Sequence, residues 1–226
     1  MTGVQTCALP IYLINPDAIT KEDLGLALNR VNKWQKEAVP VPLYAGGKSD
    51  MSGLSPRLKS LLESRGVTIK YVDGTIGQAL AHRVSESPIL AIAQAVYNPP
   101  TREIISQKGP QAEAFKDHEI GHAVDDALAG GGRYFSQTKE FNAAVNKDLA
   151  AIKSSGGIDS RKALPGIHLF IQSQLDAGTL SEGARKELFA EIFQGADKKL
   201  ATGVRSYFPN TAKVVEDKLV REGIER

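Results

Sequence analysis

The stretch that most constrains this chain is DHEIGHAVDDALAG at residues 117–130, which contains the pattern H-E-x-x-H. On a helix, residues four positions apart lie about 40° apart around the axis, so His118 and His122 project from one face, one turn apart. Two histidines placed in this way can share one metal ion, and the pattern is typical of zinc hydrolases. Glu119 lies about 100° round the axis from His118, beside the metal and not on it. From there its carboxylate can take a proton from water.

Two further residues of this predicted helix suit a metal site. Asp125 follows His122 by three positions and shares its face, so we expect it to accept a hydrogen bond from a histidine N–H and to fix the tautomer of that ring. Gly121 has no side chain, which lets another segment pack closely against the helix. An alternative stays open at this point, namely an amphipathic surface helix with solvated histidine and glutamate side chains.

The sequence must also supply a third ligand, because a catalytic zinc ion normally has three protein ligands and a water molecule. The remaining histidines, His82 and His168, are better explained as ordinary core or surface residues. Glu187 and Glu191 lie four positions apart in the apolar segment KELFAEIFQ, where a buried carboxylate needs a partner. Alternatively, both glutamates are exposed and pair with neighbouring lysines, Lys186 and Lys198.

Composition sets only broad limits on what the chain does. Its 226 residues suffice for one large domain or two small ones, and 42% hydrophobic and 24% charged residues are ordinary for a globular protein. A net charge of +2 gives no reason to expect nucleic acid or a membrane surface as a partner. No apolar run approaches the length of a membrane span.

The first eleven residues, MTGVQTCALPI, match the conceptual translation of a common sequencing adapter. We therefore expect residues 1–11 to be a non-native segment, with the native chain starting near Tyr12 and truncated upstream. Cys7, the only cysteine, lies in this segment, so we expect no disulfide framework and no thiol chemistry. Any signal peptide would lie upstream of the point at which the native chain is truncated.

The hydrophobic periodicity and turn residues of the rest of the chain predict a mixture of helices and strands, followed by helices alone. Helices are expected over 20–37, 56–66, 76–83, 111–130, 136–153, 165–178, 181–203 and 209–223. Strands are expected over 67–72, 89–97 and 102–106. The last two strands form a predicted hairpin, and Ser136 is the expected N-cap of the helix that follows the active-site segment. This order indicates an α+β domain with a small sheet, not a doubly wound fold.

The two acidic segments together resemble a known family. HEIGHAVDDALAG followed downstream by ELFAEIF resembles the metallopeptidase domain of anthrax lethal factor and its relatives, which include secreted proline-specific endopeptidases of the zincin-like superfamily. The similarity is clearest over 116–129 and 187–193 and extends weakly through 207–219.

The resemblance implies a fold and an organisation. The fold is an α+β, zincin-like metallopeptidase domain, with a small mixed sheet and an active-site helix followed by an all-helical C-terminal part. Residues 12–226 would form this single domain, truncated at its N-terminus. Its sheet-bearing part would span about 54–130 and its helical part about 131–226.

The resemblance also implies roles for matching residues. His118 and His122 would bind zinc, Glu119 would be the general base, and Glu187, the first acid of E-x-F-A-E, would be the third ligand. Glu191 would support Glu187 without binding the metal itself. The hairpin strand before the active-site helix would provide the edge along which an extended peptide docks.

One position departs from the family pattern. The family places a tyrosine, which helps to stabilise the tetrahedral oxyanion, seven residues before the glutamate ligand, and this chain has Leu180 there. Losing such a donor can remove a few kcal/mol of transition-state stabilisation. Three residues could substitute for the tyrosine, namely Tyr207, Tyr134 and His168.

These observations lead to one functional expectation and two alternatives. We expect a zinc endopeptidase that acts on a protein or peptide substrate docked in extended form. The first alternative is a zinc-binding module without turnover, which Leu180 keeps open, and the second is a zinc hydrolase of a non-peptide substrate. By resemblance alone, the protein would be secreted or delivered into a host cell.

Overall fold

The computed structural model of the chain describes residues 43–45, 51, 53–80, 93–129, 133–156, 180–194 and 199–224. Its strands are β1 (Leu43–Ala45), β2 (Thr68–Val72), β3 (Ala95–Asn98) and β4 (Glu103–Gln107). Its helices are α1 (Pro56–Ser64), α2 (Ile76–Ala79), α3 (Pro110–Ala129), α4 (Lys139–Ser154), α5 (Glu182–Gln194), α6 (Lys199–Tyr207) and α7 (Pro209–Arg221). A short 3₁₀ turn, Phe135–Gln137, precedes α4.

The α+β class with a small mixed sheet is confirmed, and so are the hairpin and the helix that carries H-E-x-x-H. Where one helix was predicted over 181–203, the structure describes α5 and α6 with separate bounds. The predicted helices over 20–37 and 165–178, and part of that over 76–83, lie outside the described residues.

The chain divides into two compact units. Unit 1 comprises residues 1–52 and 66–120, and unit 2 comprises residues 53–65 and 121–226. The division falls inside the continuous helix α3, between Ile120 and Gly121. The prediction of a single domain over residues 12–226 stays a prediction.

The four strands described in unit 1 form one sheet in the order β1-β2-β4-β3. Strand β2 pairs with β1 in antiparallel and with β4 in parallel orientation, whereas β3 and β4 form the antiparallel hairpin. Of the two hairpin strands, β4 is therefore internal, and β3 lies at the end of the strand order. The core beside the sheet consists of small and branched apolar residues, namely Val72, Ile76, Leu80, Ala93, Val96 and Ile105.

Local sequence explains where the helices of unit 2 begin. Helix α1 starts with Pro56 after Ser55, whose hydroxyl accepts a hydrogen bond from the Leu58 N–H. The expected N-cap of α4, Ser136, was wrong: Thr138 occupies that position, and its hydroxyl accepts a hydrogen bond from the Phe141 N–H. The 3₁₀ turn places Ser136 before the cap, where its hydroxyl makes a different bond, described below.

A cluster of aromatic side chains is buried in unit 2. Phe189 lies 6.1 Å from Phe135 in an edge-to-face arrangement and 6.3 Å from Phe193 in a stacked one, measured between ring centroids. Phe141 also contacts this group through Phe135. Such pairs contribute about 0.5–1.5 kcal/mol each beyond the burial of their area. The cluster buries much of α5, the helix that carries both candidate glutamates.

A carboxylate from another helix caps α7. Phe208, the N-cap residue of α7, makes no side-chain cap bond. Asp148 of α4 accepts hydrogen bonds from the Thr211 N–H at 2.8 Å and from the Thr211 hydroxyl at 2.7 Å. It also accepts from the Asn210 N–H and side-chain amide. Asp148 and Thr211 are buried, so one negative charge satisfies the first N–H groups of α7 and faces the positive end of its dipole.

Replacing Asp148 by alanine should therefore lower the free energy of unfolding by about 2–3 kcal/mol, because buried donors of α7 lose their acceptor. Urea unfolding followed by circular dichroism measures the loss. Asp217→Ala is the matched control on α7 itself: its carboxylate is exposed and pairs with Lys213 at 3.0 Å, so its loss should stay within about 0.5 kcal/mol. Equal losses in the two variants would contradict the capping role.

Candidate metal centre

Helix α3 carries three polar side chains that are almost completely buried. His118, Glu119 and His122 are exposed by only 1%, 2% and 0%. The alternative of a surface helix with solvated side chains is therefore excluded. Burying three such groups is costly unless partners compensate for the lost water.

Glycine at position 121 allows α3 and α5 to approach closely. A methyl group built on Gly121 would lie 2.8 Å from the Ala190 Cα and 3.1 Å from the Ala190 carbonyl oxygen. Both atoms belong to the backbone of α5, so neither can move aside as a flexible side chain would. Gly121 and Ala190 thus let the two helices meet almost backbone to backbone, and the segment expected to pack against Gly121 is α5.

This approach brings a carboxylate of α5 to the histidines of α3. The His122 Nε2 lies 3.6 Å from the Glu187 Oε2. One potential ligand atom from each of His118, His122 and Glu187 lies within 4.8 Å of the others. The grouping matches the three ligands that were predicted from sequence and resemblance. Glu187 keeps about a fifth of its side chain exposed, whereas the side chain of His122 is fully covered.

The donor set has the chemistry of a transition-metal site. Zinc bonds of about 2.0–2.2 Å to nitrogen and oxygen place neighbouring ligand atoms of a tetrahedron roughly 3.4 Å apart. The separation of 3.6 Å between His122 and Glu187 is close to that value. Two imidazoles and one carboxylate suit zinc, and they also suit other divalent ions of the first transition series.

Glu119 is held by the backbone of the sheet. Its Oε2 accepts a hydrogen bond from the Tyr97 N–H of β3 at 2.7 Å, and both residues are buried. A carboxylate acceptor makes this bond stronger than one between neutral groups. The sequence did not reveal this partner.

Asp125 is fixed by Ser136. One carboxylate oxygen accepts a hydrogen bond from the Ser136 N–H at 2.7 Å, and the other accepts one from the Ser136 hydroxyl at 2.6 Å. Burial raises the pKa of Asp125 from its ordinary 3.8 to about 7, although the bonds from Ser136 and the nearby His122 and Lys186 act in the opposite direction. The role expected for Asp125, accepting a histidine N–H, stays a prediction.

The surroundings of Glu187 do not match the alternative of two exposed glutamates paired with lysines. Glu191, one turn further along α5, is only 4% exposed. Lys186 forms an ion pair with Glu182 at 3.0 Å, and its ammonium lies 3.8 Å from the centre of the Tyr134 ring. Lys198 lies outside the described residues.

The residues predicted to substitute for the family's oxyanion-stabilising tyrosine lie in different environments. Leu180, at the position where the family has tyrosine, is buried. Tyr134 lies under the Lys186 ammonium and is nearly covered, whereas Tyr207, at the end of α6, is half-buried. His168 lies outside the described residues.

Comparison with protein-family models gave no match, and comparison with curated proteins gave none either. The likeness to lethal factor therefore depends on the motifs quoted above. Among the described residues, no helix combines the length and the apolar character needed to cross a bilayer.

Substituting Gly121 by alanine should force α3 and α5 apart and lower the free energy of unfolding by about 1–3 kcal/mol, as other overpacked sites do. It should also weaken divalent-metal binding, because His122 and Glu187 belong to the two separated helices. Gly183→Ala is the matched control: it adds the same methyl group to α5 where no atom lies within 4 Å. That variant should be as stable as the wild type or up to about 1 kcal/mol more stable. Chemical unfolding and zinc titration measure both effects, and an unchanged Gly121→Ala variant would contradict the close-approach argument.

The pKa of Asp125 predicts a pH dependence of stability in the metal-free protein. Between 3.8 and about 7 the folded chain keeps a proton on Asp125 that the unfolded chain releases, so this group stabilises the fold progressively as the pH falls through that range. Asp125→Asn has the shape of the protonated form and should lack this contribution. Urea midpoints of both proteins are measured at several pH values between about 4 and 8. As the pH falls, the midpoint of the wild type should rise relative to that of the variant. Parallel curves would contradict the raised pKa.

Proposed function

We propose that this chain is a zinc-dependent endopeptidase with a zincin-like metallopeptidase domain similar to that of anthrax lethal factor. The observation that carries the proposal is the grouping of His118, His122 and Glu187, whose ligand atoms lie within 4.8 Å of one another. The glutamate comes from a helix more than sixty positions after the histidines, in the order that the resemblance implies. A solvated helix with a chance motif gives no reason for this convergence.

The residues present fit a zinc ion, and each has a definite task. His118, His122 and Glu187 would hold the ion. When bound, zinc lowers the pKa of water toward about 7 and polarises a carbonyl oxygen as a Lewis acid. Glu119 takes the proton from the attacking water and delivers it to the leaving amine. Because Tyr97 fixes its carboxylate, Glu119 needs little reorganisation before it accepts that proton.

The substrate in this proposal is a protein or peptide bound in extended form. Strand β3 lies at the end of the strand order and also contacts Glu119 through Tyr97. The resemblance implies that an extended chain would dock along this strand, at positions whose N–H groups are not already bound as that of Tyr97 is. Its scissile bond would then be near the general base.

A second function is favoured by one specific observation. Leu180 is buried and aliphatic, so it cannot donate a hydrogen bond to an oxyanion. A module that binds zinc without turnover would keep His118, His122 and Glu187 and would tolerate Leu180. Catalytic turnover separates this function from the first one.

Zinc titration and digestion of a mixed peptide library, read by mass spectrometry, test the proposal. The wild type should bind zinc and cleave peptides, and a chelator should abolish cleavage. Glu119→Gln should keep zinc but lose about 10²–10⁴-fold in kcat, because it cannot accept the proton. Glu187→Gln should lose zinc affinity, whereas Glu182→Gln, an exposed site on the same helix, should leave zinc binding unchanged.

The outcomes distinguish the two functions. A wild type that binds zinc and cleaves nothing supports the binding module and overturns the peptidase. A wild type that binds no divalent metal overturns both. Cleavage that survives in Glu119→Gln would remove Glu119 from the mechanism.

A further inference from the structure

We propose that the backbone N–H of Tyr97 is a positioning group for Glu119, which holds the carboxylate beside the metal and keeps it from becoming a ligand. The catalytic consequence of this inference rests on the proposed function. The contact itself and its effect on metal ligation can be measured whether or not the chain cleaves peptides. The donor is a main-chain atom, so the side chain at position 97 does not enter the argument.

The contact is short, buried and charge-assisted. The Tyr97 nitrogen lies 2.7 Å from the Glu119 Oε2, and the exposed fractions of the two residues are 0% and 2%. Hydrogen bonds from N–H groups to carboxylates in such surroundings are stronger than those between neutral groups. The bond therefore restricts the torsion angles of a side chain that would otherwise adopt several conformations.

The strand register shows that this N–H takes no part in the pairing of β3 with β4. In an antiparallel pair, residues alternate between hydrogen-bonded and non-hydrogen-bonded positions. The Gln107 N–H donates to the Gln94 carbonyl at 2.9 Å, one position before the Ala95–Ser106 pair. Counting along β3, Ala95 and Tyr97 occupy non-hydrogen-bonded positions, and their N–H groups point away from β4.

Glu119 needs such a restraint because of where it lies on the helix. Helix spacing puts Glu119 beside the ion, but it is three positions before His122, a spacing at which side chains are neighbours, so its carboxylate can turn toward the same ion. Carboxylate oxygen is an accepted zinc ligand, and an ion held by four protein groups resembles a closed, structural site. A coordinated Glu119 could no longer take a proton from water. The bond to Tyr97 holds the carboxylate away from that arrangement.

The experiment replaces one amide by an ester in the full chain. Incorporating the α-hydroxy analogue of tyrosine at position 97 removes the N–H and keeps the side chain. The matched control is the α-hydroxy analogue of alanine at position 95, which removes an N–H of the same orientation on the same strand. Both proteins are loaded with Co²⁺, whose visible absorption changes in wavelength and intensity with its set of ligands.

We expect the ester at position 97 to shift the Co²⁺ absorption, because Glu119 joins the ligands, and the ester at position 95 to leave it as in the wild type. Adding Glu119→Gln to the first protein should restore the wild-type spectrum, because the extra ligand is gone. If the wild type cleaves peptides, the ester at position 97 should lower kcat by about tenfold or more, with KM within about twofold. Wild-type spectra for both esters would overturn the proposal.

If the ester protein does not fold, a second measurement tests the positioning role of the Tyr97 N–H. In the metal-free wild type, the Tyr97 amide proton should resonate far downfield and exchange slowly with solvent. Glu119→Gln should move that resonance upfield, because a neutral oxygen is a weaker acceptor than a carboxylate. A Tyr97 resonance that stays in place in the Gln variant would overturn the positioning role. A chain that shows the predicted shifts but no peptide cleavage would leave this inference standing and overturn the peptidase alone.

Discussion

The closest approach of two helix backbones controls the geometry of the candidate site. Helices that carry ordinary side chains at their crossing point keep their axes about 8–10 Å apart. At Gly121 no side chain intervenes, and the space for a methyl group is already filled by the Ala190 Cα and carbonyl. The separation of 3.6 Å between His122 and Glu187, each close to this crossing along its helix, depends on that contact. The geometry of the candidate ligands His122 and Glu187 is therefore a consequence of backbone packing.

The polar groups around the crossing have bonding partners of different origins. Ser136 supplies both donors for Asp125, and the sheet supplies a main-chain donor for Glu119. The Lys186 ammonium lies over the Tyr134 ring and also pairs with the exposed carboxylate of Glu182. Buried polar side chains stabilise a unique arrangement only when their partners are in place. The neighbourhood of the candidate ligands is accordingly specified by several elements and not by α3 alone.

What the sequence could predict depended on how local each feature is. The shared face of His118 and His122 follows from helix geometry within one turn, so spacing alone was sufficient. Glu187 was one of two open possibilities, because its approach to the histidines depends on tertiary packing. Ser136 was assigned to a helix N-cap because local capping rules favour serine there, whereas the structure uses it to bind Asp125. The Tyr97 donor is a backbone atom, and no residue type marks such a contact in a sequence.

The cap that Asp148 provides for α7 has a consequence for the order of folding. Helix α7 has only 13 residues, and an isolated helix of that length is marginal in water. Its own N-cap residue contributes no bond, and the acceptor for its first N–H groups lies 62 to 63 positions earlier in the chain. During synthesis the acceptor leaves the ribosome before the donors do. Helix α7 thus gains its cap by docking onto a segment that is already available, so its formation is coupled to a long-range contact as well as to its own sequence.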